Sequence, residues 1–126
     1  MRCTILDPGT GTPVRLQVDF HKAKREVSFR GKKKELIDTL CVLHELRPNG
    51  MKNVLAEAGT FLNPLDKYNK RIGKKIALQR LLEDIYSEVH TDEKGNKIRT
   101  WYSLFSTKQN RKVIWDNFKQ TFKRWR

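Results

Sequence analysis

The chain has 126 residues, and its 27 Lys and Arg against 14 Asp and Glu leave a formal net charge of +13. That length predicts one domain, residues 1–126, and 37% hydrophobic residues are enough for a buried core, which excludes a disordered tail. No apolar run approaches the roughly 20 residues that cross a bilayer, and the start of the chain lacks the apolar stretch of a signal peptide. We therefore expect a cytoplasmic protein that does not bind a membrane.

The excess of positive charge is the strongest global feature of the sequence. A chain with this charge is attracted to polyanions such as DNA, RNA or a nucleoprotein, and its sign excludes a mimic of DNA. Cys3 and Cys41 are too few and too far apart for a disulfide framework or a zinc motif. We expect two reduced thiols.

The first third of the chain shows the alternation of β-strands. Val14–Phe20 has an apolar residue at every second position, and Gly- and Pro-rich turn residues separate it from a short strand at Thr4–Leu6. We expect His21–Lys24 to close a hairpin onto a strand at Arg25–Arg30, and Gly31-Lys32 to form the next turn.

Residues 33–46 fit two patterns, because their apolar residues match both a helix face and an alternating strand. The following Arg47-Pro48-Asn49-Gly50 favours the strand, since Asn-Gly between apolar runs is a strong hairpin signal. Asn53–Leu62 is then the return strand, and a helix at 33–46 remains the alternative.

A long helix is predicted from Pro64 to about Val89. Asn63 is a suitable N-cap, Pro64 suits the first helical position, and Asp66 suits the positive end of the helix dipole. The apolar side rotates along the helix, so the helix either bends near Gly73 or is covered on more than one side. The predicted apolar side of its first half consists of Leu65, Tyr68, Ile72 and Ile76.

The last third combines a strand and a helix. Asp92–Lys97 is turn chemistry, Ile98–Ser106 is predicted to be a strand, and Thr107 is predicted to begin the last helix. We therefore expect an α+β fold, with an antiparallel β-meander of about four or five strands packed on one face by a long central helix and a C-terminal helix. The apolar stripe of the last helix consists of Ile114, Trp115, Phe118, Thr121, Phe122 and Trp125.

Catalytic motifs are not recognisable in the sequence. His21, His44 and His90 are scattered, and we expect His44 to lie at the edge of the core. The glycine-rich stretch Asp7–Thr12 lacks the Gly-Lys-Ser/Thr ending of a phosphate-binding loop. We expect a protein that is not an enzyme and that uses no metal or cofactor.

The basic residues are better organised. Cations repeat at helical spacing along the long helix, opposite its predicted apolar side, so that they can lie along a phosphate backbone. Three groups form the predicted nucleic-acid-binding site: Lys67, Lys70, Arg71, Lys74, Lys75 and Arg80; Lys32, Lys33 and Lys34; and Lys108, Lys112, Lys119 and Lys123 on the last helix. The acidic stretch Glu83–Glu93 indicates that charge is segregated into faces.

The aromatic residues allow two interpretations. Stacking on unpaired bases is one, but helical periodicity favours a core position for Trp115, Phe118 and Phe122. Trp101 and Tyr102, together with Trp125, are better candidates for a surface role.

One segment resembles small proteins of bacteriophages and prophages. Pro64-Leu65-Asp66-Lys67-Tyr68 followed by Gly73-Lys74-Lys75-Ile76-Ala77-Leu78-Gln79-Arg80-Leu81-Leu82 is similar to their pattern Pro-x-Asp-x-aromatic, then Gly-basic-x-Ile-Ala-Leu-x-Arg-x-Leu. The resemblance covers roughly residues 52–82 and implies a strand followed by a helix. It also implies a phage protein of the kind that acts on host machinery, including anti-CRISPR-type inhibitors.

The function expected from the sequence is non-catalytic binding of DNA, RNA or a nucleoprotein complex through a basic surface, with little base specificity. The alternative is a phage-encoded inhibitor that docks on a host defence nuclease, such as a CRISPR nuclease, and blocks its nucleic-acid binding. The sequence does not indicate an oligomeric state.

Overall fold

Four antiparallel strands form a meander in the computed structural model, which describes residues 1–62, 64–65 and 67–123. The strands are β1 (Arg2–Leu6), β2 (Pro13–Phe29), β3 (Lys32–Leu46) and β4 (Lys52–Thr60), and neighbours in sequence are neighbours in the sheet. This confirms the predicted meander, and it confirms the strand in place of a helix at 33–46. The turn before β4 contains Gly50, whose φ of 80° explains the glycine in the Asn-Gly signal.

The longest feature is the β2–β3 hairpin, paired from Leu16 opposite Glu45 to Phe29 opposite Lys32. The turn predicted at His21–Lys24 is wrong, because β2 continues through it with an alternating pattern of burial. The chain reverses at Arg30 and Gly31, both at positive φ, as a two-residue hairpin turn requires. Since β4 pairs only as far as residue 39, residues 23–38 form a two-stranded arm.

Two α-helices of the described residues, α1 (Lys70–Tyr86) and α2 (Lys108–Thr121), pack on one face of the sheet. Helix α1 contacts β3 and β4, whereas α2 contacts β1. Edge-on contacts of Phe20 with Phe118 and Phe122 join β2 to α2. The fully buried core between these layers includes Ile5, Leu16, Val18, Cys41, Leu43, Leu78, Leu81, Leu82, Phe105 and Ile114.

Helix α1 begins later than predicted, at Lys70 instead of Pro64. The side chain of Asn69 accepts a hydrogen bond from the Ile72 amide at 3.1 Å and caps the helix, whereas Asn63 and Asp66 lie outside the described residues. The predicted apolar side is wrong at two positions: Leu65 and Ile72 are 66% and 55% exposed. The buried residues of α1 lie instead in its second half, between Ala77 and Tyr86.

The first turn of α1 lies unusually close to the sheet. A Cβ atom on Gly73 would come within 2.6 Å of Thr39 Oγ1, so only glycine allows this approach without displacement of the threonine. Helix α1 continues through Gly73 and also contacts the strand at Ser87–Thr91 and the 3₁₀ turn at Ser103–Phe105. Cover on more than one side therefore explains the rotation of its apolar residues.

A second, separate hairpin follows α1. Helix α1 ends at Tyr86 instead of Val89, because Ser87 becomes extended and begins strand β5 (Ser87–Thr91), which pairs with β6 (Lys97–Trp101). The Asp92 side chain accepts backbone hydrogen bonds inside the intervening turn, as predicted for this segment. The strand predicted at Ile98–Ser106 ends at Trp101, and a 3₁₀ turn at Ser103–Phe105 leads to the N-cap Thr107, where the helix start is confirmed.

The two thiols are free, as predicted, with Cys41 buried and Cys3 half-buried. Burial raises the pKa of the Cys41 thiol to about 12, and the Asp19 carboxylate acts in the same direction. No helix within the described residues is long and apolar enough to cross a membrane.

A buried carboxylate fastens the arm to the segment that leads into α1. Asp38 is 5% exposed and accepts two hydrogen bonds from the Arg25 guanidinium, at 2.8 and 3.2 Å. It also accepts from the Leu62 amide, while Arg25 donates to the Leu62 carbonyl. The Arg25 contact holds the pKa of Asp38 below its ordinary value, desolvation opposes this, and the Leu62 amide adds to it.

Replacement of this carboxylate tests the fastening. We expect Asp38→Asn to lower the free energy of unfolding by about 1.5–3 kcal/mol near pH 7, the range for hydrogen bonds to charged groups. Because the folded pKa is depressed, the wild-type advantage is complete above the ordinary pKa of 3.8 and disappears as the pH falls through the lowered value. Urea unfolding at about pH 7 and about pH 2.5 measures both.

The matched control is Glu35→Gln, which removes the exposed Lys24–Glu35 pair on the same arm. We expect a change of less than about 1 kcal/mol from this control. An equal loss in the two variants, or a loss in Asp38→Asn that persists in acid, would contradict the role of Asp38.

Candidate nucleic-acid interface

Three lysines meet where the first turn of α1 rests on Thr39 of β3. Lys22 lies opposite Thr39 in the β2–β3 register, and Gly73 contacts Thr39. This places Lys70 and Lys74 beside Lys22, and the Lys22 ammonium lies 5.7 Å from the Tyr68 ring centroid. We call Lys22, Lys70 and Lys74 the lysine cluster.

The lysine cluster is electrostatically strained. The contact with the Lys70 side chain lowers the pKa of Lys22, and desolvation and repulsion from the same group lower it further. Desolvation lowers the pKa of Lys74, with smaller contributions from repulsion by Lys22 and Lys70. The Lys74 ammonium also lies 4.8 Å from the Phe122 ring centroid and 5.6 Å from that of Phe20. Like charges are therefore held together against their mutual repulsion.

The helix itself adds to this positive potential. Lys70 and Arg71 occupy the first turn of α1, which contains no acidic residue. The backbone amides at a helix N-terminus carry partial positive charge, so cations there destabilise the helix and a bound anion stabilises it. Within the described residues, no carboxylate lies within 4.0 Å of the ammonium groups of Lys22 or Lys70.

A groove between α1 and α2 brings three of the predicted cations together. Its volume is about 420 Å³, and Arg71 and Lys75 of α1 face Lys119 of α2 across it. We call it the interhelix groove. Its remaining lining residues are Asn69, Ile72, Trp115 and Phe118, so the cations surround an apolar and aromatic floor.

A separate pocket of about 310 Å³ shares one lining residue with the groove and has a different character. Trp115 also lines this pocket, together with Glu83, Trp101 and Arg111. Two guanidinium groups lie near the Trp101 ring, with Arg111 Cζ at 4.7 Å and Arg99 Cζ at 5.8 Å from its centroid. Arg99 lies 3.8 Å from Glu83, so the positive charge at this end is partly neutralised.

Other predicted site residues lie elsewhere. On the arm, Lys33 pairs with Glu26 at 3.5 Å, the Lys34 ammonium donates to the Pro64 carbonyl, and Lys32 lies at the exposed tip. Lys67 and Arg80 line a cavity of about 440 Å³ beside the arm, and Arg80 donates to the Gly59 carbonyl.

The lysines of α2 are spread along the helix. Lys108 is its first residue and Lys112 lies one turn later, whereas Lys119 lies near its end and exposed Lys123 follows it. Of these four lysines, Lys119 lines the interhelix groove together with Arg71 and Lys75 of α1.

Two residues of this surface were not among the predicted site residues. Lys22 is distant from α1 in sequence, and no local pattern connects the two. Phe118 is buried as predicted, whereas Trp115 and Phe122 pack against the core while half-exposed. Trp115 therefore also lines the groove, although its periodicity indicated only a core position.

The described histidines and carboxylates are dispersed over the structure. Within the described residues, no group of three or more His, Cys, Asp or Glu side chains is placed to hold a metal ion. His21 and His90 are exposed, and half-buried His44 lies 3.2 Å from Asp19, at the core edge as predicted.

No family model, curated protein or solved structure matches the chain, so the resemblance to phage proteins stays a prediction.

Removal of one charge from the lysine cluster tests its electrostatic cost. We expect Lys70→Gln to raise the free energy of unfolding by about 0.5 kcal/mol at low salt, because it relieves repulsion and a cation at the positive end of α1. The gain should shrink near 1 M salt, where charges are screened. Urea unfolding at both salt concentrations measures it.

Lys33→Gln is the matched control, because Lys33 pairs with Glu26. We expect this variant to be unchanged or slightly less stable. If Lys70→Gln lowers the free energy of unfolding as much as Lys33→Gln does, the result would contradict electrostatic repulsion within the lysine cluster.

Proposed function

We propose that the protein binds nucleic acid without catalysis, through the surface formed by the lysine cluster and the interhelix groove. The supporting observation is that distant parts of the chain, β2, the first turn of α1 and the end of α2, bring cations side by side. Such an arrangement costs folding stability, and a bound phosphate backbone offsets that cost.

The contrast with the arm supports the same conclusion. On the arm, Lys24, Arg25 and Lys33 are each paired with a carboxylate of the protein itself. No carboxylate of the described residues lies within 4.0 Å of the ammonium groups of Lys70 or Lys75. The net charge of +13 attracts any polyanion, but the local arrangement favours contact at α1.

Phosphate contacts of this kind bind many sequences with similar affinity. Lysine and arginine position a nucleic acid by its backbone, whereas base edges are read by side chains that enter a groove. The proposed surface supplies cations from the N-terminal turns of α1 and from the end of α2. We therefore expect steep salt dependence and weak discrimination between sequences.

Charge reversal at the proposed surface tests the function. We expect Lys70→Glu/Lys75→Glu to weaken oligonucleotide binding by about tenfold or more, because it replaces two attractions with repulsions. The slope of log affinity against log salt should fall by about 1.4–1.8, for two lost phosphate contacts. Fluorescence anisotropy of a labelled oligonucleotide at several salt concentrations measures both.

The matched control is Lys94→Glu/Lys97→Glu on the β5–β6 hairpin, where both lysines are exposed. Each double variant lowers the net charge by four, from +13 to +9, so only position differs. Equal losses in both would show that net charge alone acts and would contradict the proposed surface. A wild-type protein that binds no oligonucleotide but co-elutes with a host nuclease would support the phage inhibitor instead.

A further inference from the structure

Trp115 of α2 is shared by two cavities that residues of α1 and α2 line. It lines the basic interhelix groove and also the adjoining pocket that contains Trp101 and Arg111. A ligand that lies along α1 and α2 therefore contacts the Trp115 indole from the groove and from the pocket.

Neighbouring side chains hold this indole in place. The Trp115 and Phe118 rings make an edge-on contact, with centroids 5.7 Å apart and planes at 76°. Phe118 is 4% exposed, so the ring that supports Trp115 belongs to the core. Trp115 itself is half-buried, which leaves part of the indole open to the groove.

The groove combines apolar and cationic surface in a way that fits one kind of ligand. Exposed Ile72 contributes apolar surface near Trp115, while Lys75 and Lys119 supply positive charge at the sides. A nucleotide presents the complementary pair, an apolar base face and an anionic phosphate. The volume of about 420 Å³ lies in the usual range of small-ligand sites, about 300–1,000 Å³.

We propose that the interhelix groove binds single-stranded nucleic acid, with an unpaired base stacked on Trp115 beside Ile72 and neighbouring phosphates at Lys75 and Lys119. This inference rests on the proposed function and goes beyond it, since phosphate contacts alone do not require single strands.

An intact duplex does not fit the groove in this way. Its bases are paired and stacked inside the helix, and a base must leave the stack before it can lie on an indole. A single strand offers base faces directly, and aromatic stacking accepts any base. The contacts use base faces and phosphates instead of the 2′-hydroxyl, so RNA and DNA strands should bind with similar affinity.

Binding to four probes tests the inference. The probes are oligo(dT), oligo(rU), a duplex with the same number of phosphates, and an abasic strand of the same length. We expect wild-type protein to bind the two intact single strands about 5- to 150-fold more tightly than the abasic strand. This ratio of affinities corresponds to the free energy of stacking one base on an aromatic side chain. Trp115→Leu should remove this preference, because the indole on which the base stacks is lost.

A second variant separates charge from stacking. Lys75→Gln/Lys119→Gln should weaken binding of all four probes, because every probe carries phosphates. If all probes bind but wild-type protein binds the abasic strand as tightly as the intact one, the stacking inference fails while the proposed function stands. If no probe binds, both fail.

Photocrosslinking of wild-type protein avoids dependence on the fold of the Trp115→Leu variant. A strand that contains 5-bromouracil is irradiated in the complex, and the adduct is mapped by mass spectrometry after trypsin digestion. We expect the adduct on Trp115, in the peptide of residues 113–119 that Lys112 and Lys119 delimit. Adducts confined to the peptide of residues 100–108, which contains Trp101, would overturn the inference.

Discussion

The close contact between Gly73 and Thr39 brings the lysine cluster together. A side chain at residue 73 would reach within 2.6 Å of the threonine hydroxyl, so glycine lets the first turn of α1 rest directly on β3. Thr39 is paired with Lys22 across the long hairpin. Because the first turn of α1 rests on Thr39, Lys70 in that turn lies beside Lys22. The strand register and one glycine together assemble a cluster of like charges that no local sequence feature creates.

The distribution of carboxylates distinguishes this surface from the paired lysines of the arm. Cross-strand pairs offset part of the arm's positive charge, where Glu26 and Glu35 each meet a lysine. At the far end of the space between α1 and α2, Glu83 lies near Arg99. At the first turn of α1 the helix dipole and the side chains have the same sign. Like charges thus oppose folding at this turn, where the proposed anionic ligand would offset the repulsion.

Local signals predicted the fold better than they predicted the interface. The Asn49-Gly50 turn and the alternation of β3 were sufficient for the meander, because hairpin geometry depends on neighbouring residues. The predicted helix start is too early, because Asn63 and Asn69 carry the same capping signal. The fit of Gly73 against the sheet favours Asn69. Tertiary packing brings Lys22 to α1 and Trp115 to the basic turn of α1. No periodic pattern in the sequence predicts either contact.

Protection of lysines from acylation distinguishes a shared cationic surface at α1 from dispersed charge. Free protein and its complex with a single-stranded oligonucleotide are acylated briefly, and the labelling of each lysine is compared by mass spectrometry. We expect the oligonucleotide to protect Lys70, Lys75 and Lys119 and to leave Lys94 and Lys97 labelled as in the free protein. Equal protection of all five, or protection restricted to the β5–β6 hairpin, would contradict a shared cationic surface at α1.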